Sequence, residues 1–445
     1  MTLSSTETYL SEYDKVSPLL PGKHLPWFRR LRDQSIDKFS KSGFLRVKNE
    51  DWHFTNLSAL RDRAYSSLAK STGKFDTKSL DGIDAYHLVF TDGKFNPSFS
   101  TIKNLPSGVT LYTLKDMLEQ DPDLFKKMMN RSFRELDHPE LNLNLALMSD
   151  GYCLKLSKGV KIDKPLHFIH YSCPRKNYSA SHLHNLVFAE QDSCATIVES
   201  HFGDSGKDYF SNIVNDIQLE SRARVFHYKI QEESSRAISL AKNLIHLKRG
   251  SVYESFCLST GGALSRNEVR ALVSGKSICK IAGLSLGRAK QHLDNSVWVH
   301  HLNPNSTSAQ IFGNLLTDSS RGVFQGNISV DAIAQQTDAN QLCKNILLSD
   351  DAAAYTKPEL QIHADDVKCS HGATTGELDP KSIFYIRSRG ISEHDAKKIL
   401  LEAFIDNLLK EILVVPVRQH FKEKITLWLQ AVSYTHLTLP TILLV

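Results

Sequence analysis

Gly151-Tyr-Cys-Leu-Lys-Leu156, Leu166-His-Phe-Ile-His-Tyr171, Leu183-His-Asn-Leu-Val-Phe188, Ala195-Thr-Ile-Val-Glu199 and Arg224-Val-Phe-His-Tyr-Lys-Ile230 decide the fold class. Each is a short run rich in β-branched and aromatic residues, which fit a pleated, half-buried surface. Further runs follow at Ser251–Cys257, Glu268–Val273, Trp298–His301 and Gly322–Phe324. Turn residues punctuate them at intervals of roughly ten to twenty residues. The helices that a doubly wound sheet needs between its strands are missing from the pattern. A β-sandwich and a parallel β-helix both remain. The pattern persists from about residue 145 well past residue 320, long for one sandwich and natural for a solenoid whose coils stack. No exact sequence repeat marks the coils.

The flanks read differently. Residues 1–75 are expected to be mainly helical, with Trp27, Leu31, Ile36 and Phe39 near helical spacing and Gly43 as a stop. Trp52, Phe54 and Leu57 form an expected packing cluster. A short strand is expected at Ala85–Phe90 and a helix through Leu114–Phe133, with a second helical turn opening at Asp121-Pro122. After Gly390 helix returns, with Ser392 as N-cap and Asp395 three residues on. Ile399, Leu400, Ala403, Phe404, Leu408 and Ile412 make one apolar stripe, and a second helix is expected at about Val417–Gln430. The expected division is 1–145, 146–378 and 379–430, with 431–445 as an atypical tail of non-native character.

The 445 residues suffice for two or three domains or one elongated core. Lys+Arg 54 against Asp+Glu 49 leaves +5, scattered and without interleaved aromatics, so no nucleic-acid interface is expected. Seven cysteines with no Cys-x-x-Cys suit a reducing cytosol and not a disulfide framework. Met1-Thr-Leu-Ser-Ser-Thr-Glu7 lacks the basic and apolar regions of a secretory signal, and no apolar run reaches the ~18 residues of a membrane span. A cytoplasmic protein without membrane contact is expected.

Asp365-Asp-Val-Lys-Cys-Ser-His-Gly-Ala-Thr374 carries the candidate chemistry. In an extended chain, Cys369 and His371 share one face. A thiolate with an imidazole suits iron–sulfur chemistry or zinc. Two ligands do not close a site, so the rest must come from elsewhere in the fold or from another chain. Gly372 is expected to let the backbone turn there and present the imidazole. Gly275-Lys276-Ser277 imitates the end of a phosphate-binding loop. Arg270 stands where that loop needs glycine, and no helix follows, so no nucleotide site is expected. His182 with His184 are expected on one strand face, and His300 and His301 on opposite faces, as surface or satisfied core residues.

The long run Tyr355–Gly376, followed by Ile383-Phe-Tyr-Ile-Arg-Ser-Arg-Gly-Ile391, resembles the SufB/SufD family of the SUF iron–sulfur cluster assembly system, and its SufD branch in particular. Glu50-Asp-Trp-His-Phe-Thr55 resembles the family's N-terminal signature, a structural marker without assigned chemistry. The resemblance implies a right-handed parallel β-helix with helical segments at both ends. It implies a non-catalytic scaffold that pairs with a SufB-like subunit, or with itself in isolation, and shares a nascent iron–sulfur cluster through His371 and Cys369. Cys343 is a further candidate, because an essential SufB cysteine precedes the equivalent histidine by a similar interval. SufB has His-Glu where this chain has His371-Gly372, which favours SufD. The C-terminal helices, with Phe404 and Leu408, would dock the SufC ATPase. The complex can carry reduced flavin, for which no residue here is singled out. The competing readings are an interaction solenoid without a cluster role and a carbohydrate-active β-helix enzyme.

Overall fold

The computed structural model describes residues 5–44, 50–63, 65–67, 82–102, 104–129, 138–174 and 176–436. Two ten-stranded sheets face each other, and the chain alternates between them. The first holds Tyr152–Leu156, Ser179–Ala189, Tyr209–Leu219, Ile238–Leu247, Leu264–Val273, His292–His301, Arg321–Val330 and Ala353–Ile362, in that order. The second holds Leu166–Ser172, Cys194–Gly203, Arg224–Glu232, Val252–Ser259, Ile278–Gly287, Thr307–Leu316, Asp338–Leu347 and Lys368–Gly376. All these strands pair in parallel with the strand one coil away. The architecture is therefore a parallel β-solenoid, and the sandwich is excluded.

One coil takes 26 to 33 residues: Val252 pairs with Ile278, and Cys153 with Leu186. The repeat is one of conformation. One set of corners puts a residue at positive φ, as at Asp192, Gly250, Lys276, Asn305 and Gln336. A Ser or Thr follows each, and its hydroxyl reaches an earlier backbone carbonyl. Gly275-Lys276-Ser277 is one of these corners. Ser277 Oγ donates to the Lys248 carbonyl (2.7 Å), so the resemblance to a phosphate loop is a product of the turn.

Alternation decides the packing. Inward residues such as Leu154, Phe168, Ile197, Val225, Tyr253, Ile281 and Phe312 fill the lumen. The outer face of the first sheet is covered by N-terminal helices at Ser5–Val16, Pro26–Ser42, Leu114–Gln120, Pro122–Met128 and Pro139–Leu147. Gly43, at φ 56°, ends Pro26–Ser42 by donating its N–H to the Phe39 carbonyl (2.7 Å). Two helices replace the expected Leu114–Phe133, because Asp121 caps the second through the Leu124 N–H; residues 130–133 lie outside those described.

The outer face of the second sheet is covered by Glu393–Leu409 and Val415–His436. Ser392 caps the first of these, as expected. Its buried stripe is Ala396, Ile405, Leu408, Leu409 and, just beyond it, Ile412; Ile399 faces solvent, so the expected stripe was rotated at its N-terminal half. Gly313 makes the approach possible, since a Cβ there would lie 2.3 Å from Leu408 Cδ1. A further helix, Pro380–Arg387, was not anticipated, and it starts on Asp379 as N-cap. The last helix continues through residue 436, past the expected end at 430; residues 437–445 lie outside those described.

The two ends of the solenoid differ. At the N-terminal end, Val109–Thr113 closes the first sheet as an antiparallel strand. Tyr86–Thr91 and then antiparallel Lys94–Phe95 close the second. At the other end Ala353–Ile362 and Lys368–Gly376 each pair on one side only among the described residues.

Candidate functional site

Lys368–Gly376 is the last strand of the second sheet. Cys369 pairs in register with Ala339, His371 with Gln341, and Ala373 with Cys343. Cys369 packs with Ala339, Leu360 and Val367 at the mouth of the lumen. Two residues on, His371 lies on the same face of the strand, as period 2 requires. The strand stays regular through Gly376, so Gly372 makes no turn here. A Cβ on Gly372 would touch only Leu342, at 3.6 Å. The imidazole is presented because the strand is an edge, and the expected glycine hinge is not the cause.

The two side chains differ in setting. Cys369 is half-buried; burial, with the nearby Asp338 carboxylate, raises its thiol above the ordinary range. His371 is exposed. Cys343 lies one coil deeper and is 0% exposed. Burial pushes its thiol to about 12, against smaller opposing hydrogen bonds with Thr356 and Asn345. Asn345 then bonds Thr356 Oγ1 (3.0 Å) and Thr375 Oγ1 (2.9 Å) above it. The structure therefore brings Cys369 and His371 to the mouth and leaves Cys343 buried in the layer beneath, in register with Ala373 and two positions along from His371. Phe404 and Leu408 pack against the second sheet, Leu408 fully and Phe404 partly buried.

Two internal polar arrays escaped the sequence reading. Asn185, Asn215, Asn243, Asn267 and Asn295 bond side chain to side chain along the lumen, at 2.8, 2.8, 3.2 and 3.3 Å. Their recurrence every 24 to 30 residues was the available signal of the coil length. Deeper toward the N-terminal end, Glu199 accepts from Tyr152 Oη (2.7 Å) and lies 3.2 Å from His201 Nε2 and 3.6 Å from His227 Nε2. Burial opposes the charge on Glu199, but His227 and the hydrogen bond with His201 outweigh it and hold the carboxyl well below its ordinary range. His182 and His184 share a face and are buried, bonded to Asn212 (3.3 Å) and Asn144 (2.8 Å). His300 pairs with Asp331 outside, while His301 is buried between Ser306 and Ser308.

On the outer face of the first sheet His138, Glu140 and Glu268 bring possible metal ligands within 4.8 Å of one another. The Lys242 ammonium stands between the carboxylates, 3.0 Å from Glu140 and hydrogen-bonded to Glu268. That cluster is already neutralised by a protein cation, which makes it a buried ion-pair network.

With this geometry in hand, comparison with known proteins is decisive. Residues 171–404 match the SUF system FeS cluster assembly SufBD core domain, and residues 3–168 the SufBD protein N-terminal region. The chain belongs to the SufBD family. An iron–sulfur cluster assembly SufBD family protein of Synechocystis is 29% identical over 395 residues, covering 84% of this chain and 85% of its own length. The iron–sulfur cluster assembly protein SufD of Escherichia coli is 28% identical over 387 residues, 85% and 88% of the two chains. SufD of Bacillus subtilis is 23% identical over 409 residues, 88% and 92%. A chloroplastic protein of Arabidopsis thaliana is 27% identical over 404 residues, 88% and 84%. As a SufBD protein the chain is a component of iron–sulfur cluster assembly, and the carbohydrate-active reading falls away. No described helix is long and apolar enough to cross a membrane.

Proposed function

We propose that this SufBD protein is a SufD-like accessory scaffold, itself non-catalytic, that pairs with a SufB-like subunit through the open end of its solenoid. The nascent iron–sulfur cluster is cargo held between the two chains, with His371 as the first ligand or relay from this side and Cys369 as the second. One observation carries the reading: the mouth that bears both residues coincides with two unpaired strand edges. Such edges invite a further strand from another chain. A shared cluster would also supply the ligands that two residues alone cannot. Cys343 is the third and weakest candidate, buried one coil down with Ala373 in register above it. The seven free cysteines fit a reducing cytoplasm.

A SufC-like ATPase would dock on the C-terminal helices. Leu408 is buried and Phe404 partly buried against the second sheet, and the surface offered extends to Pro380–Arg387, where Phe384 is 75% and Tyr385 60% exposed. Flavin, if carried, is assigned to the complex and to no residue of this chain. The rival, an interaction solenoid without a cluster role, draws on the raised Cys369 thiol, which is not preset as a thiolate. Metal binding can still deprotonate it.

The test is anaerobic coexpression with SufB-like and SufC-like partners, then iron and acid-labile sulfide per complex. His371→Ala should pair normally and lose cluster content at least about tenfold, since even outer partners of metal ligands cost about 10–100-fold in affinity. Cys369→Ser should lose as much if it ligates and less if it only neighbours the site. Full occupancy in the His371→Ala complex would leave only the interaction solenoid.

A further inference from the structure

We propose that Glu50–Thr55 is a strap that orders the edge strand Ala353–Ile362 and so prepares the open end for a partner. The consequence for pairing rests on the function proposed above; the ordering itself does not.

The strap runs across the outer face of four successive strands of the first sheet. Thr55 Oγ1 donates to Asp294 and lies 2.9 Å from His292 Nε2. Trp52 is buried beneath the Arg266 guanidinium, 4.1 Å from the ring centroid. The Asp51 carbonyl accepts from Arg266 Nη2 (2.8 Å) and Gln325 Nε2 (3.1 Å), and its carboxylate meets Arg270 Nη2 (2.5 Å). The tip then reaches the last coil. Phe54 stacks on Tyr355, centroids 5.5 Å apart and planes 23° off parallel, and Glu50 pairs with Lys357.

Anchor and tip are built differently. Beneath the anchor, Lys242, Arg266, Glu268 and Asp294 are all buried and joined in one charge network. Breaking a buried, paired network is costly, so the anchor is fixed. At the tip Phe54 and Tyr355 are half-buried and Glu50 is exposed. The tip adds little to the core, but it touches a strand that has few other supports. Ala353–Ile362 is hydrogen-bonded on one side only, and none of its residues is buried. End elements of this kind open locally at low free energy. The tip holds the strand by its outer face, through Tyr355 and Lys357, and leaves the hydrogen-bonding edge clear. Ordering a binding strand before its partner arrives removes part of the entropic cost of association.

The experiment uses the full chain carrying Glu50→Gln with Phe54→Leu, which spares Trp52 and the anchor, and separately Lys357→Gln with Tyr355→Leu. Hydrogen exchange of the isolated chain should quicken about tenfold in 353–362, with 264–273 and 292–301 unchanged. Pairing with the SufB-like subunit should weaken about tenfold, or ~1.4 kcal/mol. Unchanged exchange in 353–362, or an equal rise over the whole solenoid, overturns the strap. Faster exchange with undiminished pairing overturns its link to the partner. If the unaltered chain fails to pair, the functional reading is what fails, and the exchange result still decides the strap.

Discussion

The first sheet stops at its N-terminal end on Val109–Thr113 and the second on Lys94–Phe95, both antiparallel to the neighbouring strand and both half-buried. At the other end the last two strands carry no further strand, and every residue of both is half-buried or exposed. The lumen follows suit. Near the closed end Tyr152 stacks on Phe168 at 3.7 Å, and Glu199 is enclosed by Asn215, His201 and His227. At the open end the inward face holds Cys369 and His371, the latter in the same register column as His227. Identical strand periodicity thus produces structural histidines where coils lie above and below, and an available one where the stack ends. Burial decides which histidines can serve as ligands, more than their spacing does.

The largest effect that should separate the two ends is acid instability. Burial lowers His182 and His184 from 6.5 to about 3, and lowers His301 to about 4, with His300 adding a little to the last. These groups are neutral in the fold and take up protons when unfolded. Their contribution is therefore complete above pH 6.5 and declines as pH falls toward 4, by ~1.4 kcal/mol per pH unit for each histidine. Glu199, held low, adds to the loss only below its ordinary 4.5. Urea midpoints at pH 7.5, 6 and 5 should drop steadily. A His182→Gln, His184→Gln chain should show a shallower slope. A flat profile in the parent chain would mean that these imidazoles reach solvent.

Core truncation should come next. Phe168 is fully buried in the closed lumen, and Phe168→Ala should cost about 3–5 kcal/mol in denaturant unfolding. Ile362, on the open edge and 38% exposed, should cost under ~1 kcal/mol as Ile362→Ala in the isolated chain. Equal costs would show that the mouth is packed as tightly as the closed end.

These contrasts also mark what the sequence discloses. The strand runs and their lack of intervening helices indicate a solenoid or a sandwich, and Cys369-x-His371 discloses its own shared face. The coil repeat stayed hidden because corners conserve a positive φ and a following hydroxyl, which Asp192-Ser193, Gly250-Ser251 and Lys276-Ser277 supply with different residues. The asparagine array was readable only with a spacing of 24 to 30 residues already in mind. The signature around Trp52 could not disclose its role, because Arg266, Asp294 and Tyr355 lie more than 200 residues away in sequence. The helical stripe is misphased at Ile399 because the face turned to the protein in that part of the helix runs through Ala396, which is wholly buried while Ile399 is exposed.

The C-terminal helices allow a smaller test of the same principle. Ile412 is wholly buried against the second sheet, and Ile412→Ala should cost about 2–5 kcal/mol. Phe384→Ala should alter stability by no more than ~0.5 kcal/mol and instead weaken capture of a SufC-like ATPase. If Phe384→Ala unfolds the chain while capture persists, the short helix belongs to the body of the protein and the docking surface lies elsewhere.

The smallest expected effect on folding is also the most informative. His371 is exposed on an edge strand, its register neighbour Gln341 is bonded elsewhere, and the strand needs no turn at Gly372. Removing the imidazole breaks no buried contact, so His371→Ala should change the isolated chain's stability by less than ~0.5 kcal/mol. A structural histidine such as His184, buried and bonded to Asn144, should cost ~1–3 kcal/mol when it leaves that partner unsatisfied. Chemical unfolding of both alanine variants at pH 7.5, above the range in which buried His184 carries a protonation cost, isolates the comparison. A large loss for His371→Ala would mean that the imidazole is holding the mouth together, and a defect in cluster content could then no longer be read as a lost ligand. A negligible loss keeps any fall in the cluster content of the His371→Ala complex readable as a lost ligand or relay.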